Sequence, residues 1–377
     1  MRIAFYAPLK HPAHPLPSGD REMARLLIRA LELAGHGVEI ASSLRSHSSD
    51  PDAAALAELQ ARAASETERL TTLWRQDGRP DVWFTYHPYY RAPDFIGPSV
   101  ARALGIAYAT AEASHAGKRN RDAWRPWQSH VEAALQLSLV NFCFTAVDAE
   151  GLANHLGTRQ RIRDLPPFID GEPFKRVARP ARRGRTVELI TLAMMRPGAK
   201  AESYAFLAAA LHQLVGLDWR LTIIGDGPAR PEVEQAFRAF PAARLVWRGA
   251  LAREDIPSLL AEADLYLWPG FGEAYGMAYL EAQAAGLPVV ALDSGGVAST
   301  LQPGKTGYLV TENDLEAYVE AIRSLLDDRD LRLRMGRAAR AFAFEERSLA
   351  RAASILDHGL AGSLQPQGST DHGRLHA

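Results

Sequence analysis

One cysteine, Cys143, in 377 residues leaves no intramolecular disulfide and no multi-cysteine metal site open to this chain. It lies in "LVNFCFT", an alternating, aromatic-bearing run that reads as a buried strand, so the thiol is expected to be a small core hydrophobe and not a nucleophile. Charge of one sign is also missing. The formal net charge is −1, which removes the bulk attraction on which nucleic-acid binding rests. No apolar run approaches the ~20 residues that span a bilayer. The opening "MRIAFYAPLK" has a short apolar run without a cleavage region, so it reads as a first strand and not a signal peptide. Lysine is scarce, at positions 10, 118, 175, 200 and 305 only, and each one invites inspection. What remains is a cytoplasmic, reduced protein too long for one typical core, for which two domains are expected.

Short apolar runs alternate with helical patterns along the whole chain. In the first half the strand candidates are 2–8, 37–42, 81–87, 106–112 and 139–145. Between the first two, Met23, Leu26, Leu27, Ala30, Leu31 and Ala34 form one stripe of a 3.6-residue period, with Asp20 placed to cap the helix and Gly35 to end it. The second half gives strands at 187–193, 220–225, 243–249, 265–269 and 288–292, and helices at 202–215, 230–239, 253–262 and 276–285. Two runs of βα units predict α/β domains with parallel sheets covered on both faces.

The join is "DLPPFIDGEPF" (164–174), followed by the basic run "KRVARPARRGR" (175–185), which reads as a solvated linker. Boundaries are expected at 1–168 and 169–345, with a last helix over 346–361 and a disordered tail over 362–377. Open parallel sheets bind ligands at the carboxyl ends of their strands, so functional residues belong just after strands.

Three segments of the second half fit that rule. "LAMMRPGAKAES" (192–203) sets Arg196 and Lys200 in a Pro-Gly turn before a helix, a place suited to a diphosphate. "IIGDGPARPEVE" (223–234) offers Gly225 and Gly227, either for close approach of backbone to a ligand or simply for a tight turn. "GFGEAYGMAYLEAQAAG" (270–286) places Glu273 in a slim loop and Glu281 in the helix behind it. The helix begins near Gly276, and its first amides, around Met277 and Ala278, are unpaired donors at a positive dipole end. Glu281 falls roughly 7–8 Å further along the axis. Carboxylate, anion site, carboxylate is the polar outline of hexose, diphosphate and ribose.

"GEAYGMAYLEAQAAGLPVVAL" resembles the E-x7-E motif of retaining GT-B glycosyltransferases, in particular the group usually called family 4. "ELAGHGVEIAS", "PPFID", "MMRPGAK", "IIGDGP" and "GKTGYLV" followed by "DLEAYVEAIRSLL" are similar to further segments of that family, in its order. The resemblance implies two Rossmann-like domains facing across a cleft, with the C-terminal helix returning to the N-terminal domain. It also implies transfer of a hexose, with anomeric configuration retained, from a UDP-, GDP- or ADP-sugar to a sugar, lipid or small-molecule acceptor. By motif, Glu273 would bond the transferred sugar and Glu281 the ribose. Arg196, Lys200 and the amides of Gly276, Met277 and Ala278 would hold the diphosphate. Gly19 of "PSGD" would approach the phosphates by its backbone, and His115 of "AEASHAGKR", with Glu112 as the alternative, would stand near the sugar. No cofactor is implied, and many relatives glycosylate lipids, which leaves peripheral contact with the inner membrane face open.

The chain departs from the pattern in three places. "SGD" has one glycine where two are common, three residues separate Arg196 from Lys200 where four are commoner, and Ser299 stands where a Pro-Glu is frequent. A metal is not required, because cations do its work. "DDRD" (327–330) follows no strand, and "HPAH" (11–14) has no partner set for zinc. The estimated carboxylate spacing is too wide for a retaining glycosidase, whose pair sits about 5 Å apart. The loop after the first strand lacks G-x-G-x-x-G, which disfavours a dehydrogenase. An inactive nucleotide-sugar-binding subunit and a nucleotide-sugar epimerase of the same architecture stay open.

Overall fold

A computed structural model describes residues 1–16, 18–180 and 184–364. Each predicted apolar run forms a strand. In the first half these are β1 (Arg2–Tyr6), β2 (Gly37–Ile40), β3 (Val82–Tyr86), β4 (Ala107–Ala111) and β5 (Val140–Cys143). A sixth, β6 (Ile162–Asp164), was not foreseen: three residues, two of them charged, carry little hydrophobic signal. The second half gives β7 (Val187–Leu192), β8 (Trp219–Ile224), β9 (Leu245–Gly249), β10 (Leu265–Leu267) and β11 (Val289–Asp293). Its edge strand β12 (Gly307–Thr311) also went unpredicted.

All pairings are parallel, in the orders β2-β1-β3-β4-β5-β6 and β12-β11-β10-β7-β8-β9. Every residue of β3, β5 and β10 is buried, as expected of strands covered on both faces. The two sheets fall in separate compact units, Met1–Leu165 with the residues from Ala353 onward, and Pro166–Ala352. The chain thus builds two Rossmann-like domains. The last helix, Leu349–Leu364, supplies the returning segment: His36 pairs with its Asp357 at 3.4 Å. It runs past the expected end at 361, and the rest of the tail expected to be disordered lies outside the described residues, as do Pro17 and part of the basic linker.

Local chemistry sets the helix ends. Ser18, not Asp20, caps the helix Gly19–Leu33, accepting from the amide of Arg21 at 3.2 Å. Asp20 therefore lies inside the first turn, with its carboxylate available for another partner. A 25-residue helix, Ala53–Asp77, escaped prediction because it buries only a thin stripe of five residues, among them Leu59, Leu70 and Trp74. Asp328 of "DDRD" caps the helix Arg329–Glu345, accepting from the amide of Leu331 at 2.8 Å.

Candidate active site

The second sheet reverses direction between β7 and β10: strands are added outward from β7 through β8 to β9, then from β10 through β11 to β12. At such a switch point the loops leaving the two strands diverge and open a crevice. The loop after β7 carries Arg196 and feeds the helix Ala199–His212, whose second residue is Lys200. The loop after β10 carries Glu273. The Lys200 ammonium is in direct contact with Glu273 Oε1, and Trp268 donates from Nε1 to the same oxygen at 2.9 Å. The ammonium also lies 5.4 Å from the centre of the Trp268 ring. Both charges keep partial access to solvent, with 25% of the lysine side chain and 15% of the glutamate exposed. Arg196 is exposed, and its guanidinium has no protein partner among the described residues.

Behind this pair, the helix Met277–Ala284 starts at Gly276 and carries Glu281 as its fifth residue. Gly276 has φ +78, and a Cβ there would run into the ring of Tyr279. Gly276, Met277 and Ala278 are half-buried, so the leading amides of the helix are neither sealed nor fully exposed. Glu281 is buried and accepts from Arg253 Nη2 at 3.0 Å. Arg253 opens a short 3-10 turn that leads into the helix Ile256–Ala261, within the span expected to be helical, and no motif had pointed to it.

The loop carrying Glu273 is tied down from two sides. The amide of Phe271 donates to Ser203 Oγ at 3.0 Å, and that of Gly272 to Ser294 Oγ at 3.1 Å. The amide of Gly296 reaches the carbonyl of Glu273 at 3.3 Å. Gly225 and Gly227 face protein backbone: side chains there would overlap the carbonyls of Ala193 and Met195. Their turn braces the 193–195 segment, with Met195 N donating to Asp226 O at 2.9 Å.

The first sheet has its own switch point between β1 and β3. There His87, which follows β3, bonds Asp20 Oδ1 through Nδ1 at 3.1 Å. Glu112 follows β4 and is buried. His87 and Glu112 have φ +56 and +54, two of the three non-glycine residues at positive φ among those described. Left-handed backbone at adjacent strand ends, on residues that bear long polar side chains, is a known mark of functional sites. Burial works against charge on His87, but Glu112, Asp20 and Asp148 outweigh it and raise the imidazole to about 9. Burial raises Glu112 to about 7, with His87 opposing. Gly19 opens the neighbouring helix, and a Cβ there would meet nothing within 4 Å. His115 sits further along the loop after β4, bonded to Glu132 Oε1 at 3.2 Å and stacked on His155 at 4.0 Å between ring centres. Cys143 is buried in β5, where desolvation pushes its thiol up to about 12.

The structure thus brings Lys200 and Glu273 together, with Glu281 behind them in the same unit. In the first unit, sequence reasoning missed His87 and gave Asp20 only a capping role. The available signal was the polar residue directly after each strand, "TYH" and "TAE".

Residues 190–342 match the family model described as Glycosyl transferases group 1. The chain is 39% identical over 124 residues to a sulfoquinovosyl transferase of Arabidopsis thaliana, an alignment covering 32% of the chain and 24% of that relative. It is 29% identical over 203 residues to a GDP-mannose-dependent alpha-(1-6)-phosphatidylinositol monomannoside mannosyltransferase of Mycobacterium tuberculosis, covering 50% of the chain and 52% of the relative. The matches therefore span from about a quarter to about half the length of these curated relatives. In fold, the chain resembles a glycosyltransferase from Rickettsia africae, with TM-score 0.73 at 16% identity over 97% of this chain and 98% of that one.

Proposed function

We propose that the chain is a glycosyltransferase that moves a hexose from a nucleotide-sugar donor to an acceptor hydroxyl, with anomeric configuration retained and no metal at the donor. The observation that carries this reading is the meeting of Lys200, Trp268 and Glu273 at the switch point of the second sheet, inside the segment that matches the transferase family. Lys200 and Arg196 neutralise the leaving diphosphate as its charge develops, with help from the amides of Gly276, Met277 and Ala278. Each contact aimed at the transition state supplies on the order of 3 kcal/mol. Glu273 takes hydroxyls of the transferred sugar, and Glu281, oriented by Arg253, takes the ribose diol. Without ligand, Lys200 and Glu273 satisfy each other; the donor replaces that pair with a diphosphate on the lysine and a diol on the carboxylate.

In the first unit, Glu112 and His87 bond polar groups of the acceptor. Gly225 and Gly227 act by shaping the Arg196 loop. UDP-, GDP- and ADP-sugars are all candidates, as are sugar, lipid and small-molecule acceptors. The Mycobacterium relative is named for a phosphatidylinositol glycoside, which keeps a lipid acceptor and membrane contact through the basic run in view. No helix among the described residues is long and apolar enough to cross a membrane.

A second reading, a nucleotide-sugar epimerase, has one observation in its favour: Glu112 and His87, raised to about 7 and about 9, form an acid/base set. The test is a thermal-shift panel of nucleotide sugars followed by product analysis with EDTA present and absent. A glycosylated acceptor with the donor's anomeric configuration supports transfer. Epimerised donor supports the second reading, and binding without turnover defeats both.

A further inference from the structure

We propose that His115, Glu132 and His155 form a binding site for a divalent transition-metal ion, with the ligand chemistry of zinc, inside the first unit. The three side chains come from separate elements: the loop after β4, the helix Arg125–Leu137 and the helix Ala146–Leu156. Each offers one ligand atom, and these atoms all lie within 4.8 Å of one another. A tetrahedral zinc with bonds of about 2.0–2.2 Å needs its ligands a little over 3 Å apart. The His115–Glu132 pair already meets that at 3.2 Å; the His155 ring, stacked on His115 at 4.0 Å between centres, has to turn out of that stack to aim its nitrogen at the ion.

Two further observations separate this cluster from an ordinary ion pair. The Nε2 of His155 is buried with no hydrogen-bond partner, an orphan that a metal would satisfy. The other carboxylate oxygen of Glu132 accepts from Arg125 at 2.7 Å, which fixes its orientation as outer-sphere partners of metal ligands do. Nitrogen donors select zinc, cobalt or nickel over magnesium and calcium, and three protein ligands leave a fourth position for water. Bound metal would pin the loop after Glu112 to two helices of the same unit. It would therefore set the position of a strained strand-end residue without taking part in transfer at the second unit. Sequence reading could not assemble the set, because forty positions separate the two histidines and neither stands in a recognised metal motif.

The test uses the full chain stripped with a chelator. Zinc titrated by calorimetry and cobalt followed by its visible absorption should each give one ion per chain, with cobalt showing the intense bands of tetrahedral coordination. His155→Gln, Glu132→Gln and His115→Asn should each weaken zinc at least 100-fold with unchanged far-ultraviolet circular dichroism. The double variant His11→Ala/His14→Ala should bind as the parent does. The proposal is overturned if the parent takes up no zinc at micromolar concentration, if the three single variants bind normally, or if the double variant abolishes binding.

Discussion

Replacing Gly295 by alanine isolates the position of Glu273 from its chemistry. Gly295 lies in the turn after β11 with φ +58, and an added Cβ would overlap the carbonyl oxygen of Glu273 and come within 3.1 Å of its carbonyl carbon. Carbon atoms rest at about 3.5–4.0 Å, so the two backbones must part by on the order of 1 Å. Two costs follow. Left-handed backbone at alanine costs about 1–2 kcal/mol of stability, and a displacement of about 1 Å at a reacting centre costs about 100-fold in rate. The second is equivalent to about 2.7 kcal/mol of barrier. Gly304→Ala separates them, since Gly304 has φ +76 and nothing within 4 Å of the added carbon. The assay is kcat/KM for sugar transfer, alongside the urea midpoint of each variant. Both variants should lose stability, and only Gly295→Ala should lose about 100-fold in transfer. If Gly295→Ala stays within threefold of Gly304→Ala in kcat/KM, then the register of that loop does not govern the reaction and the reasoning fails.

Glu273→Gln and Lys200→Ala should each abolish transfer with circular dichroism unchanged, and wild-type turnover in both would remove the donor-site assignment. Glu273→Gln should also bind free nucleoside diphosphate about 10- to 150-fold more tightly, because a charged hydrogen bond worth about 1.5–3 kcal/mol no longer holds Lys200; calorimetry reads the change, and weaker binding would contradict the exchange of partners. His87 should keep its proton to about pH 9 in nuclear magnetic resonance titrations. Because its folded value lies above the ordinary 6.5, its contribution to stability is complete below about pH 6.5 and is lost as pH rises towards 9. Glu112→Gln should lower the midpoint, and an unchanged midpoint would show that the carboxylate does not hold the proton. Gly359→Ala would push a carbon to 2.5 Å from the ring of Phe142, within the first unit. It should cost about 1–3 kcal/mol of that unit's stability by overpacking and leave donor affinity unchanged, as urea melts and calorimetry would register.

The alternation of strands and helices was legible because strands covered on both faces are largely apolar, as in "VWFTY" and "LYL". Lys200, Glu273 and Glu281 were legible for a different reason: they follow strands in a glycine-marked segment whose order resembles a family. What stayed hidden depends on pairings between distant positions. His87 gains its meaning from Asp20, 67 positions away, and Arg253 from Glu281, 28 positions away. Local sequence carries no trace of either pairing, although it does place His87 directly after a strand. The edge strand β6 was missed because two of its three residues are charged and leave little hydrophobic signal; β12, "GYLVT", carries no charge and was legible as a short apolar run that went unread.

The two units spend their backbone strain differently, and the difference bears on what each can recognise. In the second unit the positive-φ positions next to Glu273 are glycines, such as Gly276 and Gly295, where left-handed backbone costs little and no side chain intrudes. Such a loop offers amides at close range, the form of contact that suits a diphosphate shared by every activated sugar of the class. In the first unit the same backbone region is occupied by His87 and Glu112, where each residue costs about 1–2 kcal/mol. A cost of that size persists where the surrounding structure holds the residue in place, and on the proposed reading two opposed titrating groups at adjacent strand ends discriminate among polar substituents, not phosphates. Exchanging Glu112 for glutamine should therefore change which acceptor or sugar is used while leaving nucleoside diphosphate affinity alone. Exchanging Lys200 for alanine should instead weaken nucleoside diphosphate binding and, with it, abolish transfer.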